Sequence, residues 1–123
     1  MPTRVMVVDD DPDILTALSM TLQTEGYGVH ACRHGREALD MLEGGLRPAA
    51  ILLDLMMPVM NGFEFLQVIK SDIRWRRIPV VVLSANRGYS RDDLGVLGML
   101  RKPFELDELF AALAAATEPR QRS

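Results

Sequence analysis

Short blocks of consecutive apolar residues alternate along this chain with stretches in which apolar residues recur at every third or fourth position. Blocks of the first kind suit strands buried on both faces, and stretches of the second kind suit helices with one apolar stripe. Residues 5–8, Val-Met-Val-Val, open the series as a strand. Asp11-Pro12 follows as an N-cap and first helical residue, and Ile14, Leu15, Leu18 and Leu22 carry the stripe up to Gly26. Residues 27–32 form a weaker strand. Residues 35–42 form a helix with Ala38, Leu39 and Leu42 turned inward, halted by Gly44-Gly45. Residues 50–53 make the third strand, and Asn61-Gly62 opens a helix with Phe63, Leu66 and Ile69 spaced by three. Residues 79–83 are the fourth strand, 99–101 a short fifth, and 106–115 an alanine-rich closing helix. Helices between successive strands imply parallel pairing, because each crossover returns the next strand to the same direction. The predicted fold is an α/β, doubly wound, five-stranded parallel sheet with helices on both faces. Such sheets hold ligands beyond the carboxyl ends of their strands.

Polar residues fall at those ends. Asp9 and Asp10 follow the first strand, Asp54 the third, Ser84 the fourth and Lys102 the fifth. Three carboxylates brought together repel one another unless something compensates. Oxygen ligands without cysteine or suitably spaced histidine favour a hard divalent cation, Mg²⁺ or Mn²⁺. Asp11 is assigned to the helix cap instead. Lys102 precedes Pro103, which cannot continue a ladder, so the ammonium sits at a turn where it can pair with a carboxylate and then a phosphate. The Ser84 hydroxyl can donate to a phosphoryl oxygen, and Ala85 leaves room at the site mouth. Residues 54–62 read Asp-Leu-Met-Met-Pro-Val-Met-Asn-Gly. Pro58 and Gly62 shape a loop there that can aim the Met56 carbonyl at a metal, while the methionines themselves are read as packing.

Composition narrows the field further. With 48% apolar and 25% charged residues the chain is not a disordered one. A net charge of −3 without a basic run argues against direct nucleic-acid binding. Cys32 is the only cysteine, which excludes an intrachain disulfide and a cysteine metal cluster. No apolar run is long enough to span a membrane, and residues 1–4 lead into an apolar segment too short for a signal peptide, so a cytoplasmic location is expected. His30 and His34 share a four-residue spacing, but one lies in a strand pattern and the other in a loop, so they are not read as a metal pair. Trp75 is read as a loop residue packing on its surroundings, with a partner-binding role as the alternative.

Four motifs in order now stand together: Val7-Val8-Asp9-Asp10-Asp11, the 54–62 segment, Leu83-Ser84-Ala85 and Lys102-Pro103-Phe104. Together they resemble the receiver domains of two-component response regulators, over about residues 4 to 116. The resemblance implies one receiver domain over 1–123, with 117–123 a polar tail, and a flavodoxin-like strand order 2-1-3-4-5. It implies that Asp54 accepts a phosphoryl group from a phosphohistidine on a sensor histidine kinase or phosphotransfer protein. Asp10, Asp54 and the Met56 carbonyl would bind Mg²⁺, with Asp9 assisting. Lys102 would pair with the acceptor carboxylate and then with the phosphoryl group, and Ser84 would move towards it. Such a protein is a signalling phosphoacceptor that catalyses only its own phosphorylation and dephosphorylation, and a phosphorylation-dependent dimer is one form its output can take.

The chain also departs from that pattern. Receivers usually carry an aromatic switch residue three positions before the lysine, where this chain has Met99. The stretch from Ser84 to Lys102 is about one helical turn shorter than usual. With Gly88 and Gly95 inside it, the fourth helix is expected to be reduced to about one turn or lost. Residues 86–95 are expected to hold little regular helix and to become ordered when Ser84 engages the phosphate. These departures keep a second reading open, a degenerate receiver acting as a constitutive protein-interaction module. An Asp-nucleophile phosphohydrolase is rejected, because Leu55 and Met56 stand where such enzymes carry an acid. A dinucleotide or flavin module is disfavoured too, since Asp9-Asp10-Asp11 would repel a phosphate.

Overall fold

Three of the apolar blocks are buried along almost their whole length, and these are the strands in the middle of the sheet. In the computed structural model, which describes residues 3–84 and 90–117, they are β1 (Arg4–Val8), β3 (Ala50–Asp54) and β4 (Val80–Ser84). The edge strands β2 (Gly28–Cys32) and β5 (Gly98–Arg101) are only partly covered. Every pairing is parallel, as the alternation of elements predicts, and the order is β2-β1-β3-β4-β5, as the resemblance implies. Continuous apolar runs suit central strands because both of their faces meet helices.

Alternation along each strand divides the core in two. Met6, Val8, Ile51, Leu53, Val80 and Val82 face α2 (Gly35–Glu43) and α3 (Gly62–Lys70). Val5, Val7, Leu52, Val81 and Leu83 face α1 (Pro12–Thr24) and α5 (Leu106–Thr117). Leu15, Leu18 and Leu22 of α1 are buried, as the stripe requires. Trp75 is 1% exposed and sits in the first of these cores beneath the Arg74 guanidinium, so it packs and offers no surface to a partner.

Six strand ends differ by one residue from the predicted bounds, and two of them bear on the site. Asp54 and Ser84 are the last residues of their strands rather than the first residues beyond them. The Ser84 carbonyl accepts the Lys102 N–H at 2.9 Å, which carries the ladder one step further than the apolar run. The helix α4 is a single turn, Arg91–Leu94, matching the expectation of a reduced fourth helix. The rest of that expectation, and the reading of Ala85, falls on 85–89, outside the described residues; so does most of the polar tail. No helix among the described residues is long and apolar enough to cross a membrane.

Candidate functional site

The sheet register brings the predicted residues together. Val8 lies beside Leu53, so Asp9 and Asp54, one residue further along each strand, are neighbours. Asp54 pairs with Leu83 and Ser84 with Arg101, so Ser84 and Lys102 close the row from the other side. Carboxylate oxygens of Asp9, Asp10 and Asp54 all lie within 4.8 Å of one another. Asp9 and Asp54 are buried, and Asp10 is exposed at the mouth. This is an all-oxygen, anionic cradle of the kind that fits a hard divalent cation.

The loops that frame the cradle are held by local chemistry. Asp9 Oδ1 accepts the Asp11 N–H at 3.0 Å, while Asp11 caps α1 by accepting from the N–H groups of Asp13 and Ile14. The three consecutive aspartates therefore have different tasks, as predicted for Asp11. After β3 the chain turns back on itself. The Gly62 N–H donates to the Leu55 carbonyl, and a Cβ on Gly62 would lie 2.6 Å from the Asp54 carbonyl oxygen, so only glycine fits. Asn61 and Glu64 form a reciprocal capping box that starts α3. The Met60 N–H donates to the Pro58 carbonyl at 2.7 Å across Val59, whose φ is +65°. This tight turn places a β-branched residue in the left-handed region. Met56 and Val59 are both exposed at the lip of the loop, and the Met60 carbonyl ties it to the Gly35 N–H at the start of α2.

Lys102 reaches the carboxylates from the end of β5 and pairs with Asp54, as the resemblance implies, and more closely with Asp9. Its ammonium lies 3.2 Å from Asp9 and 3.8 Å from Asp54, so in this state it bonds primarily to Asp9. The physical reason is burial: the Asp9 side chain is 1% exposed and needs a counter-charge most. Burial also pushes the Asp54 carboxyl up to about 6. Lys102 and the Met56 N–H oppose that rise, while Asp9 and Asp10 reinforce it. Ser84 is buried at the end of β4. Met99 pairs with Val82 and packs against the α2–α3 core.

Sequence reasoning missed two features. His34 lies in the loop before α2, as expected, but it also serves as the N-cap of that helix, its Nδ1 accepting the Glu37 N–H. A Ser, Thr or Asp there would have given the signal, whereas histidine caps rarely enough to pass unnoticed. An apolar groove of about 460 Å³ runs beside Lys102, lined by Ile14, Ala17, Leu18, Pro103 and Phe104. It joins α1 to the loop after β5, a juxtaposition no local pattern reveals. His30 is hydrogen-bonded to Arg4 across β1 and β2, and His30 and His34 form no part of the acidic cluster.

Comparison with known proteins agrees with this geometry. The family model described as the response regulator receiver domain matches residues 5–114. The response regulator MprA of Mycolicibacterium vanbaalenii is 39% identical over 119 residues, covering 94% of this chain and 50% of that protein. The chain thus spans about half the length of the curated relatives it matches. The chemotaxis response regulator CheY4 of Vibrio cholerae superimposes with a TM-score of 0.83 at 32% identity, covering 94% of this chain and 99% of that one. The receiver domain of a sensor histidine kinase of Pseudomonas aeruginosa PAO1, solved with a magnesium ion coordinated in the active site cleft, gives a TM-score of 0.87 at 28% identity, covering 97% and 100%. With its strand order, its acidic cradle and the family model spanning nearly all of its length, this chain belongs to the response regulator receiver domain family.

Proposed function

We propose that this receiver accepts a phosphoryl group on Asp54 from a phosphohistidine of a sensor histidine kinase or phosphotransfer protein, with Mg²⁺ or Mn²⁺ as cofactor. The observation that carries the reading is the convergence of Asp9, Asp10 and Asp54 around one point, with Lys102 within 4 Å of two of them. Asp9, Asp10, Asp54 and the Met56 carbonyl would hold the cation. When bound, it offsets the carboxylate charge and that of the incoming phosphoryl oxygens.

The remaining work falls to the protein's own groups. An Asp54 carboxylate oxygen attacks phosphorus, the P–N bond to the donor imidazole breaks, and the imidazole leaves with a proton while an acyl phosphate forms. Lys102, already shared between Asp9 and Asp54, turns to the phosphoryl oxygens. Positioning and electrostatics supply the acceleration, so the receiver catalyses only its own modification. The exposed Met56 and Val59 and the groove at Ile14 and Phe104 ring the mouth with apolar surface on which the donor protein would rest. Ser84 would then donate to the phosphate, and the change would pass along the β4–β5 pairing to Met99 and the α4–β5 segment, altering output contacts.

Acetyl phosphate with Mg²⁺, followed by intact mass spectrometry at neutral pH, tests the reading. One added phosphoryl group is expected, absent in Asp54→Asn and absent when EDTA replaces Mg²⁺. Equal labelling of Asp54→Asn would place the acceptor elsewhere, and no labelling of the wild type would favour a constitutive interaction module.

A further inference from the structure

Most cations with described side chains in this protein have a partner. Arg33 pairs with Glu37, Arg36 with Asp40, Arg74 with Glu43 and Asp72, and Lys102 with Asp9. Lys70, Arg76 and Arg77 differ, as does Arg101 at the end of β5. Among the described residues none of these four makes an ion pair or a side-chain hydrogen bond. The first three line one pocket of about 320 Å³. Lys70 comes from the last turn of α3, Arg76 and Arg77 from the loop that enters β4, and the opposite wall is the Gly95–Leu97 segment that leads into β5. Among the described residues no acidic one lines it. Of the acids near it, Asp72 is committed to Arg74, and Asp93, which lines a neighbouring pocket with Lys70, accepts the Ser90 N–H and makes no ion pair with that lysine. The pocket lies at the amino-terminal end of β4, so the length of the sheet separates it from Asp54.

Three cations without an ion pair in one concavity create a local positive potential. General basicity does not explain it, because the chain carries a net charge of −3. A mixed lysine and arginine lining suits phosphate oxygens, with guanidinium forks giving direction and the ammonium a point charge. The volume stands near the lower end of the roughly 300–1,000 Å³ usual for small-molecule sites. Three cations in so small a space favour a compact anion over an acidic protein segment, whose carboxylates are spread along an extended backbone. We propose that Lys70, Arg76 and Arg77 form a binding site for a small polyphosphate anion, at the end of the sheet remote from Asp54. Because its walls are the end of α3 and the approach to β5, an occupant would join those two segments. The site does not depend on the phosphoacceptor reading.

Calorimetry and amide NMR on the unphosphorylated chain would test it, in EDTA at about 150 mM salt, where loose surface attraction is screened. Inorganic triphosphate and ATP serve as separate probes, distinguishing a bare phosphate chain from a nucleotide as the source. The expected result is saturable binding with shifts at residues 70, 76, 77 and 95–97. The Arg76→Gln/Arg77→Gln variant, altered only at exposed positions, should melt as the wild type does and bind about tenfold more weakly or worse. Lys70→Gln should weaken binding as well. No saturation by either probe at millimolar concentration would overturn the proposal. So would undiminished binding by the double variant, shifts confined to the Asp9–Asp54 end, or tighter binding of a tetraglutamate peptide than of triphosphate.

Discussion

Replacing Asp54 with asparagine should make the metal-free protein more stable at neutral pH. The Asp54 carboxyl is held at about 6, against 3.8 for an ordinary aspartate, chiefly because it is buried at the end of β3. The unfolded chain therefore loses this proton at lower pH than the folded chain does. Between the two values the folded state binds more protons, so stability falls as pH rises through that window and stays low above it. Two pKa units correspond to about 3 kcal/mol. Asparagine keeps the shape and cannot ionise, so it should recover up to about 3 kcal/mol above pH 7, or roughly 10 °C in Tm for a chain of this length. Below pH 4 both states of the wild type are protonated and the gain should vanish. Urea unfolding of both proteins in EDTA from pH 3.5 to 8 measures the difference directly, and common contributions from other groups cancel. Saturating Mg²⁺ should then stabilise the wild type more than the variant and narrow the gap. A gap below about 0.5 kcal/mol at pH 8, within ordinary surface-substitution effects, would refute the reasoning. A gap that persists undiminished at pH 3.5 would do the same.

Three further outcomes follow from the loops and the lysine. Val59→Gly should stabilise the chain by about 1 kcal/mol, since a β-branched residue at φ +65° is relieved, no buried surface is lost and glycine's extra unfolded-state freedom offsets part of the gain. An equal or lower Tm would show that the turn is unstrained. Gly62→Ala should destabilise by about 2 kcal/mol and slow acetyl phosphate labelling, because the added Cβ meets the Asp54 carbonyl at 2.6 Å and the Leu55 Cα at 2.7 Å. Alanine's better helix propensity alone would predict the opposite sign, so denaturation curves decide between them. Lys102→Ala removes the strongest influence holding the Asp54 carboxyl down, so its titration, followed by carboxyl ¹³C NMR without Mg²⁺, should move to higher pH. An unchanged midpoint would mean that the ammonium acts on Asp9 alone.

Much of this protein is written locally. The apolar blocks that became β1, β3 and β4 could only be central strands, because four or five consecutive apolar residues need cover on both faces. Asp11-Pro12 marked the start of α1, and the glycines around residues 88 and 95 foretold the single turn of α4, since helix starts and breaks depend on a few neighbouring residues. The candidate site was legible for the same reason: in a parallel sheet, residues at successive strand ends must share one edge. What only the tertiary structure decided is how those groups divide the charge among themselves. Nothing near Lys102 in sequence says that it prefers Asp9 to Asp54, or that burial raises the Asp54 carboxyl, because both follow from distances set by the register of three strands. The strain at Val59, the fit of Gly62 under the Asp54 carbonyl and the meeting of Lys70 with Arg76 and Arg77 belong to the same class. Periodicity records which face of an element is buried. It carries no information on which side chains from distant elements meet there, and charge, strain and pocket chemistry are properties of those meetings.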